Sequence, residues 1–297
     1  MIGILGAGSL GGLWGAMLPA GRAAFIARPG EPTDTDLSYR FRPFEGPESA
    51  VRIPLLRASD RPELILVTTK AGDTLDALAG VIDQFRVDIP IVLFQNGLGS
   101  QQAVAARWPE RPILAASTTE GANRPEPGLL VHAGTGDTWV GPLTEPAKIS
   151  VDSAVARLED SGLTIHPEPA ILQRLWQKLV INAGINPYTA ILDCPNGEIL
   201  SAPLYQSTID ELCQELSELM NAAVQIRQTP DSLRQRIEQV AKNTAGNTSS
   251  MRADVLRKRQ TEIDFINGYL AKLGKELGIG TPVNQMLTEQ VQQLSSH

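Results

Sequence analysis

Short apolar runs punctuate the first half of the chain. Residues 2–5, 24–27, 64–68, 91–94 and 113–117 carry few alternating polar positions. Strands buried on both faces read this way. Helical or turn-like stretches separate them, so parallel β-α-β winding is expected. Residues 40–57 read as an irregular or hairpin insertion. A second strand-rich patch covers residues 129–132 and 138–140, around the turn-like Ala133-Gly134-Thr135-Gly136-Asp137. Near His166-Pro167-Glu168-Pro169 the pattern changes. Helical periodicity then covers most of residues 170–294, with breaks expected at Asn186-Pro187, Cys194-Pro195-Asn196-Gly197, Thr229-Pro230 and residues 278–282. Two domains are expected, residues 1–167 and 168–297, the second all-α.

The formal net charge of -7 disfavours binding to nucleic acid or to an anionic membrane, since both need a basic face. No run approaches the roughly 20 apolar residues of a membrane span. The start, MIGILGAGSLGG, lacks a basic leader and a cleavage site, and reads as a strand and turn already in use. Cys194 and Cys213 make no disulfide framework, and no Cys/His cluster suggests a metal. A reducing cytoplasm is the simplest compartment.

Gly6-Ala7-Gly8-Ser9-Leu10-Gly11 is a G-x-G-x-x-G directly after the first apolar run. Gly6 permits a tight turn, Gly8 lets backbone approach a pyrophosphate, and Gly11 lets helix and strand pack closely. The N-terminus of the following helix offers N–H groups and a positive dipole end. A structural glycine turn is the rival reading. The position inside a β-α-β unit favours a Rossmann-type dinucleotide-binding domain. The second expected strand ends in Arg28, with no acidic residue until Glu31. A guanidinium pairs with a 2′-phosphate that an acid would repel, so NADP(H) is expected over NAD(H). Two further strand ends carry Lys70 and Asn96-Gly97. Ligands of open α/β sheets sit at such ends. A solvated cap and an ordinary turn remain the plainer readings.

Residues 172–185 should form a largely buried helix, because apolar residues surround most of its circumference. Yet Lys178, Asn182 and Asn186 recur at intervals of four, on one face. Buried, such a stripe needs partners. It suits a cleft wall, or else it pairs with a neighbouring helix or faces solvent. An ammonium in a cleft suits carbonyl reduction, because it stabilises charge developing on the oxygen and delivers a proton. His132, His166 and His297 are expected to be structural or exposed. Farther on, Asn247-Thr248-Ser249-Ser250-Met251 supplies hydroxyls and an amide. Glu262 is expected to share a helix face with Phe265, Ile266 and Tyr269, and to need a cationic or hydroxyl partner. Lys178, a ligand hydroxyl or an ordinary interhelical ion pair would serve.

These segments together resemble the ketopantoate reductases. GAGSLGGLWG, the TTK ending at Lys70, QNGLG from Gln95, LWQKLVINAGINPYTAILDCPNGEIL from Leu175, NTSSMRADV from Asn247 and TEIDFING from Thr261 carry the resemblance over nearly the whole chain. It implies NADPH-dependent reduction of 2-dehydropantoate to (R)-pantoate, in a site between the two domains. It implies Lys178 as general acid, and Asn96 touching nicotinamide and substrate. Asn182, Asn186 and Asn196 become substrate-binding amides, and Ser250 the hydroxyl on the substrate carboxylate. Glu262 is implied near cofactor and substrate. Gly6, Ala7, Gly8, Ser9, Leu10, Gly11, Arg28, Lys70 and Ala122 become cofactor contacts. The partner is then a small keto acid; a homodimer is the assembly expected, and no metal is expected. Residues 21–60 match the family poorly. Two alternatives stay open: a related dehydrogenase of another 2-keto or 3-hydroxy acid, and a non-catalytic NADP-sensing regulator.

Overall fold

The computed structural model describes residues 1–27, 30 and 36–295. It divides into two compact units. One comprises Met1–Gln95 and Ser100–Leu172, the other Asn96–Gly99 and Gln173–His297.

The first unit holds eleven strands among the described residues: β1 Ile2–Leu5, β2 Ala23–Phe25, β3 Leu37–Arg42, β4 Ser49–Ile53, β5 Leu64–Val67, β6 Ile91–Leu93, β7 Ile113–Thr118, β8 Gly121–Asn123, β9 Leu129–Gly134, β10 Asp137–Pro142 and β11 Thr164–Pro167. Its helices are α1 Ser9–Met17, α2 Thr74–Ala79, α3 Ser100–Arg107 and α4 Val151–Glu159. Seven strands form one sheet in the order β11-β10-β7-β6-β5-β1-β2. The five from β2 to β7 run parallel, and β10 reverses against β7. Both faces are covered. Ile2, Ile4, Leu64 and Leu66 point to one apolar cluster, while Leu5, Ile65 and Val67 point to the other. That is why these strands read as unbroken apolar runs.

Residues 40–57 do contain a hairpin, β3 antiparallel to β4. It belongs to a second sheet, β4-β3-β9-β8, in which β3 runs parallel to β9. Helix α1 packs on this sheet through glycines. A Cβ on Gly15 would lie 2.4 Å from Ile53 Cδ1, and one on Gly12 would lie 3.0 Å from Leu130 Cδ2.

The second unit is helical: α5 Ile171–Ile191 (from Gln173 onward), α6 Pro203–Val224, α7 Pro230–Asn243, α8 Ser250–Leu256, α9 Asn267–Leu277 and α10 Pro282–Ser295. Two expectations need correction. The break at Asn186-Pro187 does not occur, because α5 runs straight through Pro187. Proline has no N–H to offer the carbonyl four residues back, that of Ala183. The buried Asn267 amide fills the gap, its Nδ2 donating to Ala183 O at 3.3 Å. The second correction concerns Glu262. It is not on a helix face with Phe265, Ile266 and Tyr269. It precedes a 3-10 turn, Ile263–Phe265, and Ile266 (φ -111°, ψ -96°) interrupts the chain before α9 starts.

A buried carboxylate ties the later helices together. Glu215 of α6 accepts from the backbone N–H of Val283 (2.7 Å) and Asn284 (3.1 Å) at the start of α10, and from Asn284 Nδ2 (2.6 Å). Asn284 Oδ1 in turn accepts from Asn267 Nδ2 at 3.0 Å. Desolvation holds the Glu215 carboxyl above its ordinary range, against the pull of those three donors. Among the described residues, no helix is long and apolar enough to cross a membrane.

Candidate active site

In the parallel sheet the strand order reverses between β1 and β5, which is where open α/β sheets place their ligand crevice. The glycine loop leaves β1 there. Gly6 has φ +109°, and a Cβ on it would come within 2.7 Å of Thr69 N. A Cβ on Gly11 would come within 2.0 Å of Gly6 O. The protein itself therefore requires both glycines. Gly8 differs, since its Cβ would meet nothing nearer than Thr68 O at 4.0 Å. Gly8, exposed, is also the N-cap of α1 and makes no side-chain cap. Ala7, Ser9 and Leu10 complete the loop and open the helix. The loop is pinned from the end of β5, where the next residue, Thr68, donates through Oγ1 to Gly6 O at 2.7 Å. This cradle fits an anion such as a dinucleotide pyrophosphate.

Other expected cofactor positions lie in the same unit. Lys70 precedes the 3-10 turn Ala71–Asp73, and its carbonyl accepts from Thr74 Oγ1 at 2.9 Å. Ala122 sits on β8 opposite His132 and packs on the core. Arg28 lies outside the described residues. Of the histidines, His132 is buried against Glu120 at 2.6 Å, and His166 pairs with Asp137 at 2.7 Å. Arg124 was invisible to pattern reading. Its Nη2 donates to Ala7 O at 3.0 Å, in the glycine loop itself.

The helical unit holds the residues expected to act on the substrate. Lys178, Asn182 and Asn186 form the expected stripe on α5, spanning roughly 12 Å at 1.5 Å rise per residue. Asn186 is buried and Asn182 partly so. The Lys178 side chain keeps some surface open, yet its ammonium is deep enough that desolvation pushes its pKa down to about 8, with the Glu262 charge opposing. Glu262 Oε2 also accepts from Asn96 Nδ2 at 3.2 Å. Residues 96–99 are held there by backbone as well. Leu98 N donates to Phe265 O at 2.8 Å, and a Cβ on Gly97 (φ +79°) would lie 2.1 Å from that oxygen. Lys178, Glu262 and Asn96 thus form one cluster.

The remaining expected residues form a second group. Asn196 is buried and opens the 3-10 turn Asn196–Ser201. Its Nδ2 donates to Thr244 Oγ1 at 2.9 Å, while its Oδ1 is buried with no protein donor. Asn196 N donates to Asn247 O at 3.1 Å, fastening this turn to the segment before α8. Ser249 caps α8 by accepting from Arg252 N and shares a 2.7 Å hydrogen bond with Thr189 of α5. Ser249 is thereby committed to structure, which leaves the exposed Ser250 as the hydroxyl presented by α8.

The model of the ketopantoate reductase PanE/ApbA family matches residues 2–145, and that of its C-terminal region matches residues 170–295. The chain belongs to this family. Among the similar ketopantoate reductases is the 2-dehydropantoate 2-reductase of Vibrio cholerae, 34% identical over 294 residues, 98% of this chain and 96% of the relative. That of Archaeoglobus fulgidus is 32% identical over 303 residues, 99% and 97% of the two chains. In fold, the chain is similar to a PanE/ApbA family ketopantoate reductase from Ralstonia eutropha, with TM-score 0.85, 22% identity and coverage of 100% and 99%. It is also similar to D-mandelate dehydrogenase with NADH and anilino(oxo)acetate, with TM-score 0.88, 23% identity and coverage of 100% and 98%. At these identities the two structures speak for the fold alone. A PanE/ApbA chain is a pyridine-nucleotide oxidoreductase, and its Rossmann-type α/β unit and helical unit match the architecture expected from the sequence.

Proposed function

We propose that this protein reduces 2-dehydropantoate to (R)-pantoate with NADPH. The buried ammonium of Lys178, favoured by the charge of Glu262, carries this reading, and the relatives' names supply the substrate.

When bound, the reduced nicotinamide supplies a hydride to the ketone carbon. The chain's own residues do the rest. Lys178 faces the ketone oxygen, offsets its developing charge and gives it a proton. Glu262 favours the protonated form of Lys178 and orients the Asn96 amide. Asn196 Oδ1, an acceptor lacking a protein donor, takes the substrate hydroxyl, because a buried acceptor left unpaired costs about 1–3 kcal/mol. Ser250 donates to the substrate carboxylate, and Asn182 and Asn186 line the remaining wall. Gly6, Ala7, Gly8, Ser9, Leu10 and Gly11 receive the pyrophosphate, with Lys70 and Ala122 contacting the cofactor. Arg28 pairs with the 2′-phosphate and sets the preference for NADP(H).

The test follows NADPH oxidation by absorbance across a panel of 2-keto acids. Turnover should be fastest with 2-dehydropantoate. Lys178→Ala should lose about 10²–10⁴-fold in kcat while binding NADPH normally. Arg28→Ala should raise the KM for NADPH and leave that for NADH. A faster keto acid, a near-normal Lys178→Ala kcat, or equal KM for the two nucleotides in the wild type would each overturn the matching part.

A further inference from the structure

We propose that Arg124 is the positioning residue of the phosphate loop: by gripping carbonyls on one side, it aims N–H groups out of the other. This rests on the nucleotide-binding reading above.

The geometry is local to the first unit. Arg124 Nη2 donates to Ala7 O at 3.0 Å and approaches Gly8 O at 3.4 Å. In a trans peptide the C=O and the following N–H point in opposite directions. Holding the carbonyls of Ala7 and Gly8 therefore turns the N–H groups of Gly8 and Ser9 away from Arg124. Gly8 lacks a side chain and has no atom near its would-be Cβ except Thr68 O at 4.0 Å. A Cβ at Gly6 or Gly11 would collide with protein backbone, so space for a ligand in this loop opens at Gly8.

Arg124 is itself braced. Its guanidinium lies over the Tyr39 ring, 5.5 Å from the centroid. The Tyr39 hydroxyl donates to Gly12 O at 2.6 Å, one turn into α1. Burial pushes this hydroxyl well above its ordinary pKa, so it remains a donor. Tyr39 and Arg124 thus tie the second sheet to both the loop and the helix it opens. The guanidinium's positive charge adds to that of the α1 N-terminus, the sign an anion seeks.

A plain structural arginine would affect folding. A loop-orienting one affects nucleotide affinity with the fold intact. The experiment measures Kd for NADPH and for NADH by fluorescence titration, with thermal melting, in wild type, Arg124→Ala and Arg124→Lys. Arg124→Ala should weaken both nucleotides by about tenfold, since both carry the pyrophosphate, with Tm nearly unchanged. Lysine, which keeps charge and one donor, should recover part of the loss. At saturating NADPH, Arg124→Ala should keep its kcat. Unchanged affinities, or a loss matched by a fall in Tm, would overturn the proposal. A loss confined to NADPH would place Arg124 on the 2′-phosphate and overturn it too. Failure of the wild type to bind either nucleotide would sink the nucleotide reading instead, which separates the two.

Discussion

Glu262 and Lys178 are coupled through charge: desolvation drives the ammonium toward neutrality, and the carboxylate, itself bonded to Asn96 at 3.2 Å, holds its proton on. In the reaction proposed above Lys178 gives the proton, which makes its protonated form the active one. The kcat/KM of the free enzyme should therefore fall as pH rises through about 8. Glu262→Gln removes the charge that raises the pKa, and should move this alkaline limb to lower pH. A limb that stays put or moves upward would break the coupling. The same depression bears on stability. Between about pH 8 and 10.5 the unfolded chain still holds a proton that the folded one has released, so this group's penalty shrinks as pH rises across that window.

Gly8 and Gly97 should behave in opposite ways. Alanine at Gly97 collides with Phe265 O and sits at φ +79°, so Gly97→Ala should cost about 1–3 kcal/mol and dislodge Asn96 from Glu262. Both Tm and kcat should drop. Alanine at Gly8 meets nothing nearer than Thr68 O at 4.0 Å, so Gly8→Ala should lower Tm only by the small cost of an alanine N-cap and raise the nucleotide Kd. Melting curves and titrations on the two variants check this, and a Gly8→Ala as destabilised as Gly97→Ala would show that glycine to be structural.

Asn267 substitutes for the N–H that Pro187 lacks. Asn267→Ala should destabilise by about 1–3 kcal/mol, because it takes the donor from Ala183 O and from Asn284 Oδ1. Adding Pro187→Ala restores a backbone donor within α5. The double variant should therefore regain part of the loss in denaturant unfolding. Simple additivity of the two changes would refute the substitution idea.

Asp193 adopts φ +48°, in the left-handed region, and Arg252 Nε donates to its Oδ1 at 2.9 Å. The pair clasps the turn leading to Asn196 against α8, which carries Ser250. Asp193 is largely exposed, so the ion pair itself adds little, and the stability cost of Arg252→Ala should come from the packing of the mostly buried arginine stem. The expected effect is a several-fold rise in keto-acid KM at unchanged kcat. Asp193→Gly, which occupies this conformation without strain, should restore KM in the double variant. Steady-state kinetics on the single and double variants decide it.

Strand positions and the glycine loop were legible because a buried parallel sheet demands short apolar runs, and a phosphate turn demands glycine at fixed spacing. The stripe of Lys178, Asn182 and Asn186 was legible from helical period alone. Other features depend on partners far away in sequence. The pairing of β3 with β9 joins residues some 90 apart, and nothing local encodes it. Pro187 read as a break because its compensating donor, Asn267, comes 80 positions later. Glu262 read as helical because its apolar neighbours fall at helical spacing, whereas the backbone at Ile266 turns away. Arg124 carries no motif, and its role emerges only from which carbonyls it meets.

Asn96–Gly99 lies in the middle of the α/β unit's sequence but is folded into the helical unit. The α/β unit of this protein is therefore not a continuous, detachable stretch of sequence. A chimaera that exchanges the first half for that of a relative imports a foreign tetrapeptide beside the recipient's Glu262 and Lys178. Grafts that leave these four residues native should preserve turnover where whole-half exchanges lose it.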